Sequence, residues 1–95
     1  IENGQYNRSW RYIHMLPEQT LQAAKDLQTK NVLPVHNSKF QLSVHSWWEP
    51  MKTLCSLATG TDITIHTPRI GEVWNINDSV SFSKWWEAAP DYKAN

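Results

Sequence analysis

The feature that most constrains the fold of this 95-residue chain is an alternation between segments of helical period and short apolar runs. Pro17, a residue tolerated in the first helical turn, predicts a helix whose apolar positions are Leu21, Ala24 and Leu27. The helix is expected to end at residues 30–31, where a lysine suits the last turn and an asparagine suits a left-handed cap. The first half of the chain therefore predicts one amphipathic helix.

Residues 32–36 form an apolar run directly after this helix and predict a strand, in which Pro34 implies an edge, a bulge or a short pairing. A second helix is predicted from a capping box in which Ser46 and Glu49 satisfy each other's backbone amides, with Gly60 as its end. Its apolar stripe consists of Met51, Leu54, Cys55 and Ala58.

From residue 62 to residue 76 the period changes to two, which predicts two short strands around a turn at residues 68–71. Residues 83–89 predict one or two final helical turns that carry Trp85 and Trp86. The order helix, strand, helix, strand, strand makes the fold class α/β. These strands are too few for a complete sandwich.

Charge and cysteine content exclude several classes of protein. Nine basic residues balance nine acidic ones, so the chain lacks the basic field that nucleic-acid partners require. The single cysteine, Cys55, cannot form an internal disulfide and favours a reducing compartment. We therefore expect no nucleic-acid partner and a cytoplasmic location, with association with a membrane left open. The opening residues 1–4 resemble a strand end and a turn, so we expect a piece of a longer protein.

The histidines are the main candidates for chemistry, although their spacing forms no dense metal motif. His36 follows an apolar strand, where α/β folds collect ligands, and a neutral imidazole there suits zinc. Its spacing alone favours a half-buried histidine bonded to the backbone. His14 could contact a phosphate or pack against neighbouring aromatic rings, and packing is again favoured. We expect His45 to be part of local structure, His66 to face solvent and Cys55 to be an inert core thiol.

Five stretches of the chain resemble, in this order, a known family of hydrolases. They are GQYNRSW at 4–10, HMLPEQ at 14–19, LPVH at 33–36, HSWWEP at 45–50 and TPRIGE at 67–72. Together they resemble the C-terminal part of metallo-β-lactamase-fold hydrolases of the N-acylphosphatidylethanolamine phospholipase D type. Bacterial members are often called zinc-dependent hydrolases or RomA-like outer-membrane proteins. The resemblance covers residues 1–76, so residues 1–95 are interpreted as a C-terminal domain segment with an unassigned extension at 77–95.

The resemblance implies an αββα sandwich with two zinc ions, held mainly by an HxHxDH motif that would lie upstream of this chain. It implies that His36 is the last histidine ligand, although the family's Trp-Gly-Thr is replaced here by residues 37–39, with Phe40 kept. His14 matches a second family histidine that is implicated in activity. This match implies a catalytic role for His14, as a contact to the substrate phosphate or to a metal-bound group.

By this resemblance, the complete protein would hydrolyse a phosphodiester or a lipid-like ester. This chain alone would be inactive, because its partner would be the rest of the metallo-β-lactamase domain. Isolated, it is expected to self-associate or to rearrange its core. The alternative is a non-catalytic α/β module that binds a partner through a surface rich in tryptophan, of which the chain has six. For the pairs at 47–48 and 85–86, covered core is favoured over an open surface.

Overall fold

A computed structural model describes residues 1–94 as a small α/β unit with two α-helices and a two-stranded parallel sheet. The last residue, Asn95, belongs to the predicted 77–95 extension and lies outside the described residues. The elements in chain order are a 3₁₀ turn at Arg8–Trp10, α1 at Pro17–Asp26, β1 at Asn31–Val32, α2 at Glu49–Ala58, β2 at Thr64–Ile65 and a 3₁₀ helix at Trp85–Ala88.

The sheet consists of two parallel strands. In β1 and β2, Asn31 lies opposite Thr64 and Val32 lies opposite Ile65. Parallel strands need a long crossover between them, and α2 lies in that connection. Beyond Pro34, a single parallel bridge pairs Glu2 with Val35. The strand predicted at residues 32–36 is therefore present only as two short pairings on either side of the proline, which agrees with the expectation of short pairing.

Helix α1 begins at Pro17 as predicted but ends earlier than expected. The helix stops at Asp26, and Gln28 takes the left-handed conformation with φ of 55°. The backbone N–H of Thr29 then donates to the carbonyl of Ala24 at 3.1 Å, which satisfies a carbonyl at the helix end. The predicted end at residues 30–31 is therefore wrong. Leu27 lies beyond the last helical residue and is exposed.

Helix α2 begins at Glu49, and the predicted capping box is absent. The Ser46 hydroxyl donates to the Asp91 carboxylate at 3.1 Å, so it does not cap the helix. Trp48 occupies the cap position without a side-chain hydrogen bond. The end is as predicted, because the helix stops at Ala58 and Gly60 has φ of 82°.

Two apolar clusters form the core. The first joins α1, α2 and the sheet through Leu21, Ala24, Val32, Leu54, Ala58 and Ile63. The second is aromatic, with Trp48, Met51 and Trp86 buried and with Trp47, Cys55, Trp85, Ala89 and Tyr92 packed against them. The prediction that the paired tryptophans cover core is confirmed. Burial raises the pKa of the Cys55 thiol, which keeps it protonated and agrees with an inert core role.

The strand predicted near residues 73–76 is wrong, since within the described residues this segment pairs with no strand. The chain turns at Arg69, whose backbone N–H donates to the side-chain oxygen of Glu72 at 2.8 Å. Trp74 then stacks on His66, with ring centroids 4.4 Å apart. His66 is only 6% exposed, so the prediction that it faces solvent is also wrong. Its Nε2 lies 2.8 Å from the Asn31 side-chain oxygen, which ties β2 to β1.

Leu54 is fully buried between the two helices and the sheet, so its truncation should leave a cavity. We expect Leu54→Ala to lower the free energy of unfolding by about 2–5 kcal/mol, as measured by urea denaturation. Leu57→Ala is the matched control, because Leu57 lies on the same helix and is 42% exposed. Equal losses in the two variants would contradict this core assignment.

Burial lowers the pKa of His66 below its ordinary value of 6.5. As the pH falls below that value, the unfolded chain takes up a proton at residue 66 before the folded chain does. This contribution to stability is complete above about pH 6.5 and is lost as the pH falls towards the lowered pKa. In urea titrations on both sides of about pH 6.5, His66→Gln should lose less stability on acidification than the wild type. Identical losses in His66→Gln and in the wild type would contradict the prediction.

Candidate functional site

The short bridge at the N-terminus positions the candidate site. The N–H of Asn3 donates to the carbonyl of Val35, and the N–H of Val35 donates to the carbonyl of Ile1, both at 2.9 Å. Glu2 therefore lies beside the end of the strand segment that His36 follows. His36 itself has φ of 66°, a left-handed conformation that is uncommon for a residue other than glycine. The chain changes direction at this residue.

His14 reaches the same place from the loop before α1. Its backbone N–H donates to the carbonyl of Trp10 at 2.9 Å, which closes the turn that precedes it. The next N–H, that of Met15, donates to Glu2 Oε2 at 3.2 Å. Thr20, which is fully buried in α1, donates its hydroxyl to the Glu2 carbonyl at 2.6 Å. The N-terminal segment, the loop and α1 are therefore joined at Glu2.

Glu2, His14 and His36 form one cluster of side chains. Glu2 Oε1 lies 2.6 Å from His14 Nδ1 and 3.7 Å from His36 Nε2. The two imidazole rings stack, with centroids 5.3 Å apart and an angle of 11° between their planes. The Tyr6 ring packs against both, at centroid distances of 4.2 Å from His14 and 5.3 Å from His36. The structure thus brings together the two histidines that the sequence singled out.

The cluster is chemically suited to a divalent metal. In the part of the chain that the structure describes, it is the one group of three such side chains whose ligand atoms all lie within 4.8 Å of one another. Two imidazoles and a carboxylate are donors that zinc accepts. His36 is 47% exposed at its side chain and Glu2 and His14 are partly exposed, so the group is accessible from solvent.

Gly4 packs closely against this cluster. A Cβ at Gly4 would lie 2.9 Å from Tyr6 Cδ2 and 3.1 Å from Glu2 Oε1. Such contacts are shorter than an unstrained packing allows, so a side chain at position 4 would displace the tyrosine ring or the carboxylate. This close approach explains the glycine in the first stretch, GQYNRSW.

An open cleft of about 610 Å³ adjoins the site, and Tyr6 belongs to both. Its walls include Arg8, the first turn of α1 at Glu18, and residues 43–45. His45 lies on this wall, with Nδ1 2.8 Å from the carbonyl of Ser46, and it does not join the cluster. This agrees with the prediction that His45 is part of local structure.

Glu2 is the member of the cluster that sequence reasoning missed. It lies outside the five stretches that carry the resemblance, and the spacing of charged residues contains no signal for it. The parallel bridge to Val35 brings it beside His36.

Comparison with known proteins gives partial matches. No family model matches the chain, and no solved structure matches it. The chain is similar to the outer membrane protein RomA of Klebsiella pneumoniae, with 42% identity over 59 residues that cover 55% of this chain and 45% of RomA. It is also similar to uncharacterized proteins of Mycobacterium bovis and Mycobacterium tuberculosis, with 31% identity over 86 residues that cover 87% of this chain and 23% of each relative. The chain spans less than half the length of the relatives it matches.

The similarity to RomA supports the RomA-like part of the resemblance. That relative is named as an outer membrane protein. Among residues 1–94, no helix has the length and the apolar character needed to cross a membrane.

Proposed function

We propose that this chain is the C-terminal portion of a zinc-dependent hydrolase with the metallo-β-lactamase fold, and that the complete protein cleaves a phosphodiester in a phospholipase D-like reaction. The observation that carries the proposal is the stacking of His14 on His36 beside the Glu2 carboxylate. The resemblance assigns a role to each histidine, and the fold joins them through contacts far apart in the sequence. The similarity to RomA supports the RomA-like part of the resemblance on which this proposal draws.

His36 is proposed as a zinc ligand. Its imidazole lies at the end of a parallel strand segment, is half exposed, and has a histidine and a carboxylate as neighbours. These neighbours fit the hydrogen-bonded groups that surround and orient a metal ligand. When bound, zinc supplies Lewis-acid stabilisation of charge on the substrate oxygens. The further ligands for two zinc ions would come from the rest of the domain, so this chain alone is expected to bind zinc weakly and to be inactive.

The residues that replace the family's Trp-Gly-Thr do not release His36 from its position. The Asn37 side chain donates to the carbonyl of Val35 at 3.0 Å, across the turn that His36 makes. The Ser38 hydroxyl lies 3.5 Å from the carbonyl of Trp47, near the start of α2. These contacts supply a local anchor, so the departure from the family's sequence is compatible with His36 as a ligand.

His14 is proposed to contact the phosphate of the substrate. It is less exposed than His36, and one ring nitrogen is already engaged by Glu2 at 2.6 Å. The Arg8 guanidinium pairs with Glu18 at 3.3 Å on the wall of the adjoining cleft, where a phosphodiester or a lipid-like ester could lie. The name of the RomA relative supports a complete protein that associates with a membrane.

A non-catalytic module that binds through its tryptophans is the weaker alternative. Trp48 and Trp86 are buried, and Trp47 stacks on Trp85 with centroids 5.9 Å apart. These rings pack against one another, so they do not form an open surface for a partner.

In the complete protein, His36→Ala should lower zinc content and phosphodiesterase turnover together, because one ligand is lost. His14→Ala should keep the zinc content and lower turnover by about 10- to 100-fold, as outer residues of metal sites do. Metal analysis and hydrolysis of a phosphodiester measure the two effects on the same preparation.

Leu57→Ala serves as the control, since this exposed leucine lies outside both the cluster and the cleft and should change neither quantity. A His36→Ala protein with two zinc ions and full activity would contradict the assignment. Loss of zinc from His14→Ala would contradict the division of roles between the two histidines.

A further inference from the structure

Among residues 1–94, Glu2 is the one carboxylate that contacts both His14 and His36, and the proposed function gives it no role. Its Oε1 lies 2.6 Å from His14 Nδ1, while its Oε2 accepts the N–H of Met15 at 3.2 Å. The backbone of Glu2 is fixed as well, by the bridge to Val35 and by the hydroxyl of Thr20. The carboxylate therefore has both oxygens engaged and little freedom to turn away.

The short contact determines which nitrogen of His14 carries the hydrogen. An ionised carboxylate can only accept hydrogen bonds, so Nδ1 of His14 must be the donor. A neutral imidazole has one N–H, and with Nδ1 protonated the other nitrogen, Nε2, is a bare acceptor. Free histidine favours the opposite tautomer, with the hydrogen on Nε2. The contact with Glu2 therefore selects the less common form.

Packing restrains the same ring. Tyr6 lies 4.2 Å from the His14 ring and His36 lies 5.3 Å from it, centroid to centroid. A ring flip of His14 would move Nδ1 away from Glu2 and leave the carboxylate oxygen without this donor. Packing thus holds the plane of the ring, and the hydrogen bond to Glu2 selects its orientation within that plane.

We propose that Glu2 is a positioning residue, which holds His14 with its Nδ1–H towards the carboxylate and leaves Nε2 free of protein partners among the described residues. Nε2 is then an acceptor, and it donates to a substrate phosphate oxygen only once it has taken up a proton. The tautomer follows from the geometry of this chain, whereas its consequence for turnover rests on the proposed function. The arrangement also makes Nδ1 of His14 unsuited to bind a metal, because that nitrogen keeps its hydrogen while Glu2 accepts it.

The first experiment needs no variant of Glu2. In the ¹⁵N-labelled chain, with metal removed and at a pH where the imidazoles are neutral, long-range ¹H–¹⁵N correlation reports the tautomer of each histidine. The signals of His14 are identified by their loss in His14→Ala. We expect a protonated Nδ1 and an unprotonated Nε2, and the reverse assignment would overturn the proposal.

Variants then test whether Glu2 is the cause. Glu2→Ala should shift His14 towards the Nε2–H form, while Glu2→Gln retains an oxygen acceptor and should keep more of the Nδ1–H form. Glu18→Ala is the matched control, because it removes a carboxylate that pairs with Arg8 instead. An unchanged tautomer in a folded Glu2→Ala protein, or an equal shift in Glu18→Ala, would overturn the proposal. If Glu2→Ala does not fold, the His14 tautomer measured in the wild type and in Glu2→Gln tests the proposal.

Adding zinc to the chain tests whether Glu2 and His14 are instead metal ligands. Added zinc should perturb His36 and leave His14 Nδ1 protonated, and Glu2→Ala should bind zinc as the wild type does. Displacement of the hydrogen from His14 Nδ1, together with weaker zinc binding by Glu2→Ala, would make Glu2 and His14 ligands and overturn the proposal.

In the complete protein, Glu2→Ala should lower kcat without lowering zinc content. Failure of the proposed function would appear as His36→Ala retaining its zinc. That result would leave the metal-free tautomer measurement intact, so the two failures can be told apart.

Discussion

The parallel bridge between Glu2 and Val35 is the interaction on which the candidate site depends. It consists of two backbone hydrogen bonds that hold the N-terminal segment against the chain after β1. Through it the Glu2 carboxylate comes within reach of His36, and through Glu2 the loop that carries His14 is tied to the same point. Without this bridge, Glu2 and His14 would lose their backbone link to the segment that carries His36.

Buried residues of the core hold the bridge in place. Thr20 is fully buried in α1 and donates to the Glu2 carbonyl, and α1 packs on α2 through the first apolar cluster. Asn3, also fully buried, donates its side-chain amide to the carbonyl of Pro50 in α2 at 2.8 Å. The N-terminal segment is therefore anchored to both helices. Its position is set by buried polar contacts, which are costly to leave unmade.

The aromatic cluster stabilises the opposite part of the chain. Trp85 donates its indole N–H to the carbonyl of Thr67 at 3.0 Å, so the 3₁₀ helix near the C-terminal end is fixed to the segment after β2. Trp86 fills the space beside Met51 on α2. The tryptophans thus join residues 67, 85–86 and α2, which gives the region beyond the resemblance a structural role.

Local patterns in the sequence were sufficient for some of this structure. The beginning of α1 at Pro17, the end of α2 before Gly60, and the 3₁₀ turn at Trp85–Ala88 all follow from the residues that form them. The resemblance singled out His14 and His36, and the fold brings them together. For these features, short-range stereochemistry or a recognisable motif carries the information.

Other features were decided by contacts between distant segments. Ser46 has the sequence context of a cap, yet its hydroxyl is taken by Asp91. His66 alternates like a solvent-facing residue, yet Trp74 covers it and Asn31 binds it. Glu2 has no motif, and it joins the site only because a parallel pairing places residue 2 beside residue 35. The sequence by itself determined the presence of the two helices, because helical period acts over a few residues, and its resemblance to a known family singled out the two histidines. Tertiary structure decided the burial of His66 and the recruitment of Glu2, because strand pairing and side-chain burial depend on partners far along the chain.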